Sequence, residues 1–405
     1  MQLTVSIIFF LTYLGIAVGR VPRLKLDRTG IALVGAVAMI VCGTISIDKA
    51  MGSIDVPTIL LLYALMIVSA QLRLGGFYTW VAFRITFLTK SPRLFLLATM
   101  TTSAGLSAIL ANDIICLAFT PVLASVLPRQ RLNPMPFLIG LAVASNIGSA
   151  ATIIGNPQNM LLGQMGHLRF DHFFYWCAPP AILALIGSYF LLCFLYHGVF
   201  NQNFKVSDPD EGKFPKFNQW QSIKGLIATG ILMALFFTSV PREFSAIAVA
   251  GVLLCSRKMQ SRHILQHIDW HLITLFCSLF IVIHAAETNN IPAVLMETLR
   301  RIGIDVRNLM MLTGISTVLS NLVSNVPATM LLLRFIDASN PVEWYTLAVS
   351  STFAGNFIVI GSIANLIVIE QASRHGIEIS FKEHAKVGIP VTLFSLLVLI
   401  FWIYV

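Results

Sequence analysis

The sequence predicts an all-α polytopic membrane protein, built as an inverted repeat of about five spans per half, with two re-entrant hairpins and helices broken at the bilayer midplane. Three observations predict it. Of 405 residues, 57% are hydrophobic and 11% charged, whereas soluble domains carry roughly 25% charged residues. The apolar residues fall in nearly uncharged blocks of about 15 to 25, the length an α-helix needs to cross roughly 30 Å of hydrocarbon. The chain also matches itself when one half is slid over the other.

The first block, residues 3 to 19, has no basic residue before it and no small-residue cleavage site behind it. It runs into the basic loop RVPRLKLDR and reads as a retained span rather than a signal peptide. Further spans are predicted near 30 to 47, 57 to 74, 135 to 165 and 174 to 197. A second set follows near 222 to 240, 244 to 257, 269 to 288, 342 to 369 and 385 to 404. Between the third and fourth span of each set lies an apolar stretch with a polar interruption: LSAILANDIICLAFTP around Asn112 and Asp113, and VLSNLVSNVPATMLLL around Asn325. Each reads as a re-entrant hairpin with its tip inside the membrane. The amphipathic stretches GFYTWVAFRITFL and NIPAVLMETLRRIG that precede them suit the membrane interface. The polar segment 198 to 221 is expected to be a cytoplasmic linker joining a first transmembrane repeat, 1 to 197, to a second, 222 to 405.

The self-match is specific. IDVPTILLLYALMIVSAQ from residue 54 aligns with IDWHLITLFCSLFIVIHA from residue 268 at an offset of 214. Leu106 and Ser107 align with Leu319 and Ser320 at 213, and IIGNPQNMLL from 153 aligns with VIGSIANLIV from 359 at 206. An odd number of spans per half requires the halves to lie upside down relative to one another. With the loop after the first span cytoplasmic, 20 of the 27 Lys and Arg residues fall inside and 7 outside, which satisfies the positive-inside rule. Both termini are then expected outside the cell inner membrane. The net charge of +9 therefore encodes orientation, and nucleic acid is excluded as a partner.

Polar interruptions occur at corresponding places in the two halves: Ala111-Asn112-Asp113, Gly155-Asn156-Pro157-Gln158-Asn159, Ser324-Asn325-Val326-Pro327 and Gly361-Ser362-Ile363-Ala364-Asn365. Gly and Pro break the helix there, and hydrocarbon cannot satisfy the freed backbone groups, so the breaks must face a polar cavity or each other. Half-helix N-termini offer N–H groups and partial positive charge, and unwound carbonyls can hold a cation. Asn112, Asn156, Asn159, Asn325, Ser362, Asn365, Thr152 and Asn356 are the candidate substrate-binding residues; Ser145, Asn146, Ser149, Asn321, Thr329 and Thr352 neighbour them. Helix-packing polarity is the competing reading for any single Ser or Thr. Asp113 is the acidic residue at such a tip, opposite Val326 in the second half, and a carboxylate inside a membrane is costly enough to be the candidate proton or cation coupling group. Its alternative role is to cap the second hairpin arm. Asp55 and Asp269 open matching helices and read as caps.

Cys116 could offer a thiolate to a metalloid but suits a small packing role, and His284 and Glu287 lie near the external end of a span. The six cysteines lack CxxC spacing, so no metal site is expected. No P-loop, nucleophile elbow or zincin pattern is present, which argues against an enzyme.

The AND tip followed by a proline, ASNIGSAATIIGNPQN on a broken helix, LSNLVSNVPAT and STFAGNFIVIGSIANLIV together resemble the ion transporter superfamily over nearly the whole chain. That superfamily includes the arsenite permeases of the ArsB type, citrate-type permeases, divalent anion/sodium symporters and a group of sodium/proton antiporters. The symporters carry Ser-Asn-Thr at both tips; here these positions read Ala111-Asn112-Asp113 and Ser324-Asn325-Val326. The AND tip is similar to arsenite permeases and sodium/proton antiporters, and GNPQN to the citrate-like members. The resemblance implies a secondary transporter without a cofactor, driven by a proton or sodium gradient. Arsenite or antimonite efflux coupled to protons is the favoured function. The alternatives are a sodium/proton antiporter and a citrate-like or inorganic anion permease. It further implies a small-molecule or ion substrate, a soluble ATPase partner if the chain is arsenite-type, and allows a homodimer.

Overall fold

The computed structural model describes residues 2–19, 24–200, 217–256, 260–301, 303 and 305–405. Residues 201–216 of the expected linker and 20–23 of the first basic loop lie outside them. The regular secondary structure of the described residues is all helical, with no strand among them. In chain order the first half forms α1 (Gln2–Val18), α2 (Arg28–Val41), a short α3 (Ile47–Gly52), α4 (Val56–Leu74) and α5 (Phe77–Thr86). Then come two hairpin arms, α6 (Pro92–Ile109) and α7 (Asn112–Arg129), a broken helix, α8 (Met135–Ser149) and α9 (Pro157–Met165), and α10 (Phe170–Leu195). The second half repeats the order: α11 (Gln219–Phe236), α12 (Arg242–Leu254), a short α13 (Ser261–Leu265), α14 (Trp270–Thr288) and α15 (Ile291–Arg301). Hairpin arms α16 (Leu309–Val323) and α17 (Asn325–Leu332), broken helix α18 (Pro341–Ala354) and α19 (Ile363–Ser373), and α20 (Phe381–Ile403) complete it.

α4, α10, α14 and α20 are long and apolar enough to cross a membrane, and α1, α2, α8, α16 and α19 are shorter apolar helices. Local chemistry sets their ends. Asp55 caps α4 by accepting from Thr58 N at 2.8 Å, and Asp269 caps α14 from Leu272 N at 3.0 Å, as the matching sequences require. α2 stops at Val41, short of the expected residue 47, because Gly43 takes φ +68° and Ser46 then caps α3. The expected single spans 135 to 165 and 342 to 369 are each two helices joined by an unwound segment. α15 leaves most of its surface exposed, whereas α5, also expected at the interface, buries Phe77, Tyr78, Ala82 and Ile85 and packs on α7.

Packing separates two groups of helices. One comprises α1, α2, α4, α11, α12 and α14, in which α2 lies on α14 and α4 on α12, each pair joining the two halves. The other comprises the hairpins, the broken helices, α10 and α20. There α6 packs on α8 and α16 on α18 within a half, while α7 packs on α19 and α17 on α9 between halves.

At the α6–α8 seam the two backbones come close together. Ser107 and Ser145 hydroxyls bond at 2.9 Å, Thr152 Oγ1 bonds the Ala108 carbonyl, and a Cβ added to Gly148 would fall on the Ala104 backbone. Small residues let two backbones meet in a lipid environment, where dispersion and hydrogen bonds must hold helices together. Gly148→Ala should therefore lower stability by about 1–3 kcal/mol in detergent unfolding. Gly105→Ala, whose Cβ meets nothing within 4 Å, should cost no more than a surface change.

Candidate functional site

α7, α9, α17 and α19 all begin at one place. A cavity there is lined by Asn112 and Asp113, by Asn156, Pro157 and Gln158, by Ser324, Asn325 and Val326, and by Ser362 and Ile363. Asn146, Ser149, Thr352 and Leu272 complete its wall. The space open to water centres is about 40 Å³, room for roughly three waters at the 10–15 Å³ each needs. Four helix N-termini thus face one chamber, and their partial positive charges add.

The breaks are held open by a repeated set of bonds. In the first half, Asn159 Nδ2 donates to the Ser149 and Thr152 carbonyls at 3.2 and 2.9 Å. In the second, Asn365 Nδ2 donates to the Gly355 and Ile358 carbonyls at 2.8 and 3.3 Å. Donors and acceptors are all related by the shift of 206 residues seen in the sequence. Asn156 caps α9 by accepting from Asn159 N, and Ser362, its counterpart at the same shift, caps α19 by accepting from Ala364 N.

Those caps also cross between the halves. Asn156 Nδ2 donates to Thr352 Oγ1 at 3.1 Å, and Ser362 Oγ donates to Asn146 Oδ1 at 2.9 Å; Asn146 and Thr352 are themselves 206 residues apart. Asn146 bonds four other side chains of the group. Its Nδ2 donates to Asn356 Oδ1 at 2.8 Å and Asn365 Oδ1 at 3.2 Å, and its Oδ1 also accepts from Asn112 Nδ2 at 3.4 Å. Each hairpin is sewn to the broken helix of its own half. Ser145 Oγ donates to Asn112 O at 3.2 Å, and Asn325, with its amide nitrogen turned toward the break, reaches Ser351 O and Gly361 O, both at 3.2 Å.

Asp113 stands in the first turn of α7, whose N-cap is Ala111 without a side-chain bond, so the carboxylate is not the cap. Among the described residues no hydrogen bond or ion pair engages it, and it borders the cavity. Ser324, at the other tip, has φ +76° and ψ 159°, a region otherwise nearly confined to glycine. The strain aims Asn325 at the break.

The structure brings Asn112, Asp113, Asn156, Asn325 and Ser362 to the cavity wall. It does not bring Thr152, Asn159, Asn356 and Asn365 there: these lie behind it, Thr152, Asn159 and Asn365 bonded to unwound or arm carbonyls and Asn356 to Asn146. Gln158 and Leu272 were not among the candidates. The first lies in the quoted GNPQN run and donates to Thr352 Oγ1 at 3.3 Å; the second is an ordinary apolar residue of α14 without a sequence signal. Cys116 is buried and away from the cavity wall. His284 and Glu287 belong to an ionic contact at the end of α14, where Arg334 reaches Glu287 at 3.0 Å.

The pattern of the citrate transporter family (CitMHS) matches residues 13–354, most of the chain and three of its four breaks. The chain belongs to that family. It is a multi-pass membrane transporter of the ion transporter superfamily, as its motifs suggested. The 46 kDa membrane protein of Mycobacterium leprae is 29% identical over 96% of this chain and 95% of its own. The silicon efflux transporter LSI3 of Oryza sativa subsp. japonica is 27% identical over 92% of this chain and 91% of its own. A crystal structure of the YdaH transporter of Alcanivorax borkumensis shares the fold, with a TM-score of 0.57 and 13% identity, covering 100% of this chain and 97% of that one.

The crossed caps give a direct test. In a double-mutant cycle, Asn146→Ala and Ser362→Ala should show a coupling of about 0.5–3 kcal/mol in unfolding experiments. Ser362→Ala and Gly105→Ala, which share no partner, should be additive.

Proposed function

We propose that this member of the family extrudes a small uncharged oxyacid, arsenite or antimonite, in exchange for protons taken up at Asp113. The observation that carries the reading is the chemistry of the wall: amides, hydroxyls and helix N-termini, one carboxylate, and no Lys, Arg or His among the residues that line it. Arsenous acid is a compact trihydroxy acid, uncharged at neutral pH, and its hydroxyls can donate to amide oxygens and accept from amide nitrogens. The chamber has room for roughly three water-sized groups. Citrate, with thirteen heavy atoms and up to three negative charges, would need a wider cavity and a cationic side chain.

The rice relative, by its name, exports silicon, and silicic acid is likewise small, neutral and rich in hydroxyls. The shared chemistry supports the oxyacid class. A carboxylate anion is the second reading, favoured by the family's description and by the four converging helix N-termini. Sodium exchanged for protons at Asp113 is the third, since amide oxygens and a carboxylate also suit a cation.

The repeated order of elements supports alternating access as part of this reading. With an odd number of crossings in each half, the halves lie inverted, the first hairpin enters from the cytoplasm and the second from outside, and both termini lie outside the inner membrane. The repeat boundaries 1–197 and 222–405 belong to this proposal.

Everted vesicles carrying the protein and held under a proton gradient should lose that gradient faster on addition of arsenite, and not on addition of citrate or sodium. Asp113→Asn should abolish the proton movement, lowering gradient-driven uptake at least tenfold, while leaving exchange of labelled arsenite across the membrane. Unchanged coupling in that variant would remove Asp113 from the mechanism, and a response to citrate alone would replace the oxyacid by a carboxylate.

A further inference from the structure

Arg242 opens α12, in the group of helices that gives the cavity only Leu272, yet its side chain holds the far end of α9. Nη1 donates to Leu168 O and Nη2 to Gly163 O, both at 2.6 Å, and Nη2 also reaches Gln164 Oε1 at 3.1 Å. Glu243 accepts from Gln164 Nε2 at 3.0 Å. The guanidinium thus clasps the turn that closes α9, sharing Gly163 O with Leu168 N and taking Leu168 O beyond it, at a helix end where the dipole favours a cation. α9 also packs on α4.

The second half is not arranged alike. Its corresponding arm, α19, has no comparable packing on α14, the counterpart of α4. Arg28 opens α2 at an offset of 214 from Arg242, the offset that relates the flanking spans, and its guanidinium lies beside Gly19, with Nε at 3.6 Å from where a Cβ on that glycine would stand. An ion pair, Arg334 to Glu287, ties the turn after α17 to α14. In the proposed topology the ends of α9, α17 and α14 all lie on the external side.

We infer that Arg242 is a positioning residue that latches the external side shut by capping α9, and that Arg28 is its counterpart, capping α19 when the protein faces outward. Two copies of one unit in opposite orientations exchange conformations between the two states, so a contact made by one copy now is made by the other after the switch. The inference rests on the alternating-access reading above. It assigns the two arginines opposite effects on one equilibrium, which a merely structural role would not produce.

The test uses the full chain with Cys42, Cys116, Cys177, Cys193, Cys255 and Cys277 replaced and Leu272→Cys as a reporter in the cavity wall. A membrane-impermeant maleimide is applied to right-side-out and everted vesicles. Labelling should favour the cytoplasmic face in the parent. Arg242→Gln should raise external labelling roughly tenfold relative to cytoplasmic, Arg28→Gln should shift the ratio the other way, and the double variant should return toward the parent. Arg242→Lys should restore part of the effect. Gln164→Leu, which removes the side-chain part of the latch, should shift the ratio in the direction of Arg242→Gln and serves if that variant does not fold. Shifts of the two single arginine variants in the same direction, or no shift in either, would overturn the latch. Protection of the reporter by arsenite in the parent is scored separately: its absence alongside opposite arginine effects would sink the solute assignment and leave the latch standing.

Discussion

Everything in this structure depends on what happens to helix ends that stop in the middle of an apolar helix bundle. Each of the four breaks frees backbone donors and acceptors that lipid cannot satisfy. The solution here is reciprocal. Asn159 and Asn365 bind the loosened carbonyls of their own halves, while Asn156 and Ser362 cap their arms and reach across to Thr352 and Asn146. Each half thus ties the loosened segment of its own break, and the bonds from Asn156 and Ser362 to Thr352 and Asn146 join the two breaks to each other.

That arrangement separates two jobs that the asparagines share in name. Those one turn into α9 and α19 are consumed by structure, and those at the helix starts keep polar atoms toward the chamber. On the proposed function, a solute entering the chamber meets dipoles held in place by bonds behind them, so little reorganisation accompanies binding. Neutral dipoles also bind without the depth of an ion pair, which suits a site that must release what it holds.

Most of this architecture is legible in the sequence because lipid leaves few options: apolar length gives the spans, and Gly, Pro and Asn inside them give the breaks. The self-match at 206 turned out to relate individual donors and acceptors, down to the Ser149–Asn159 and Gly355–Asn365 pairs. What hydropathy does not carry is geometry within a polar cluster. Nothing in the spacing says that Asn159 faces a carbonyl while Asn156 faces the cavity, since the two differ only by where the first turn of α9 points them. Span ends were overrun where a glycine at positive φ ends the helix among apolar neighbours, as at Gly43. Arg242 falls between the spans expected at 222 to 240 and 244 to 257, where a charge reads as a loop residue; its hold on the end of a helix distant in sequence is a tertiary fact.

The two groups of helices touch at few polar points. Within the group that forms the cavity, bonds run from hairpin to broken helix and from one broken helix to the other, so its members are tied into one body. Toward the other group the polar contacts are of a different kind: Arg242 on α9, Arg334 on Glu287, and Tyr13 Oη donating to Pro327 O at 3.3 Å. Apolar contacts can slide at little cost when each surface finds another like it, whereas a buried amide network cannot be pulled apart without leaving donors unpaired. If the protein alternates its access, the motion must therefore pass along the boundary between the groups and leave the crossed caps intact, carrying the chamber as a unit past α4 and α14.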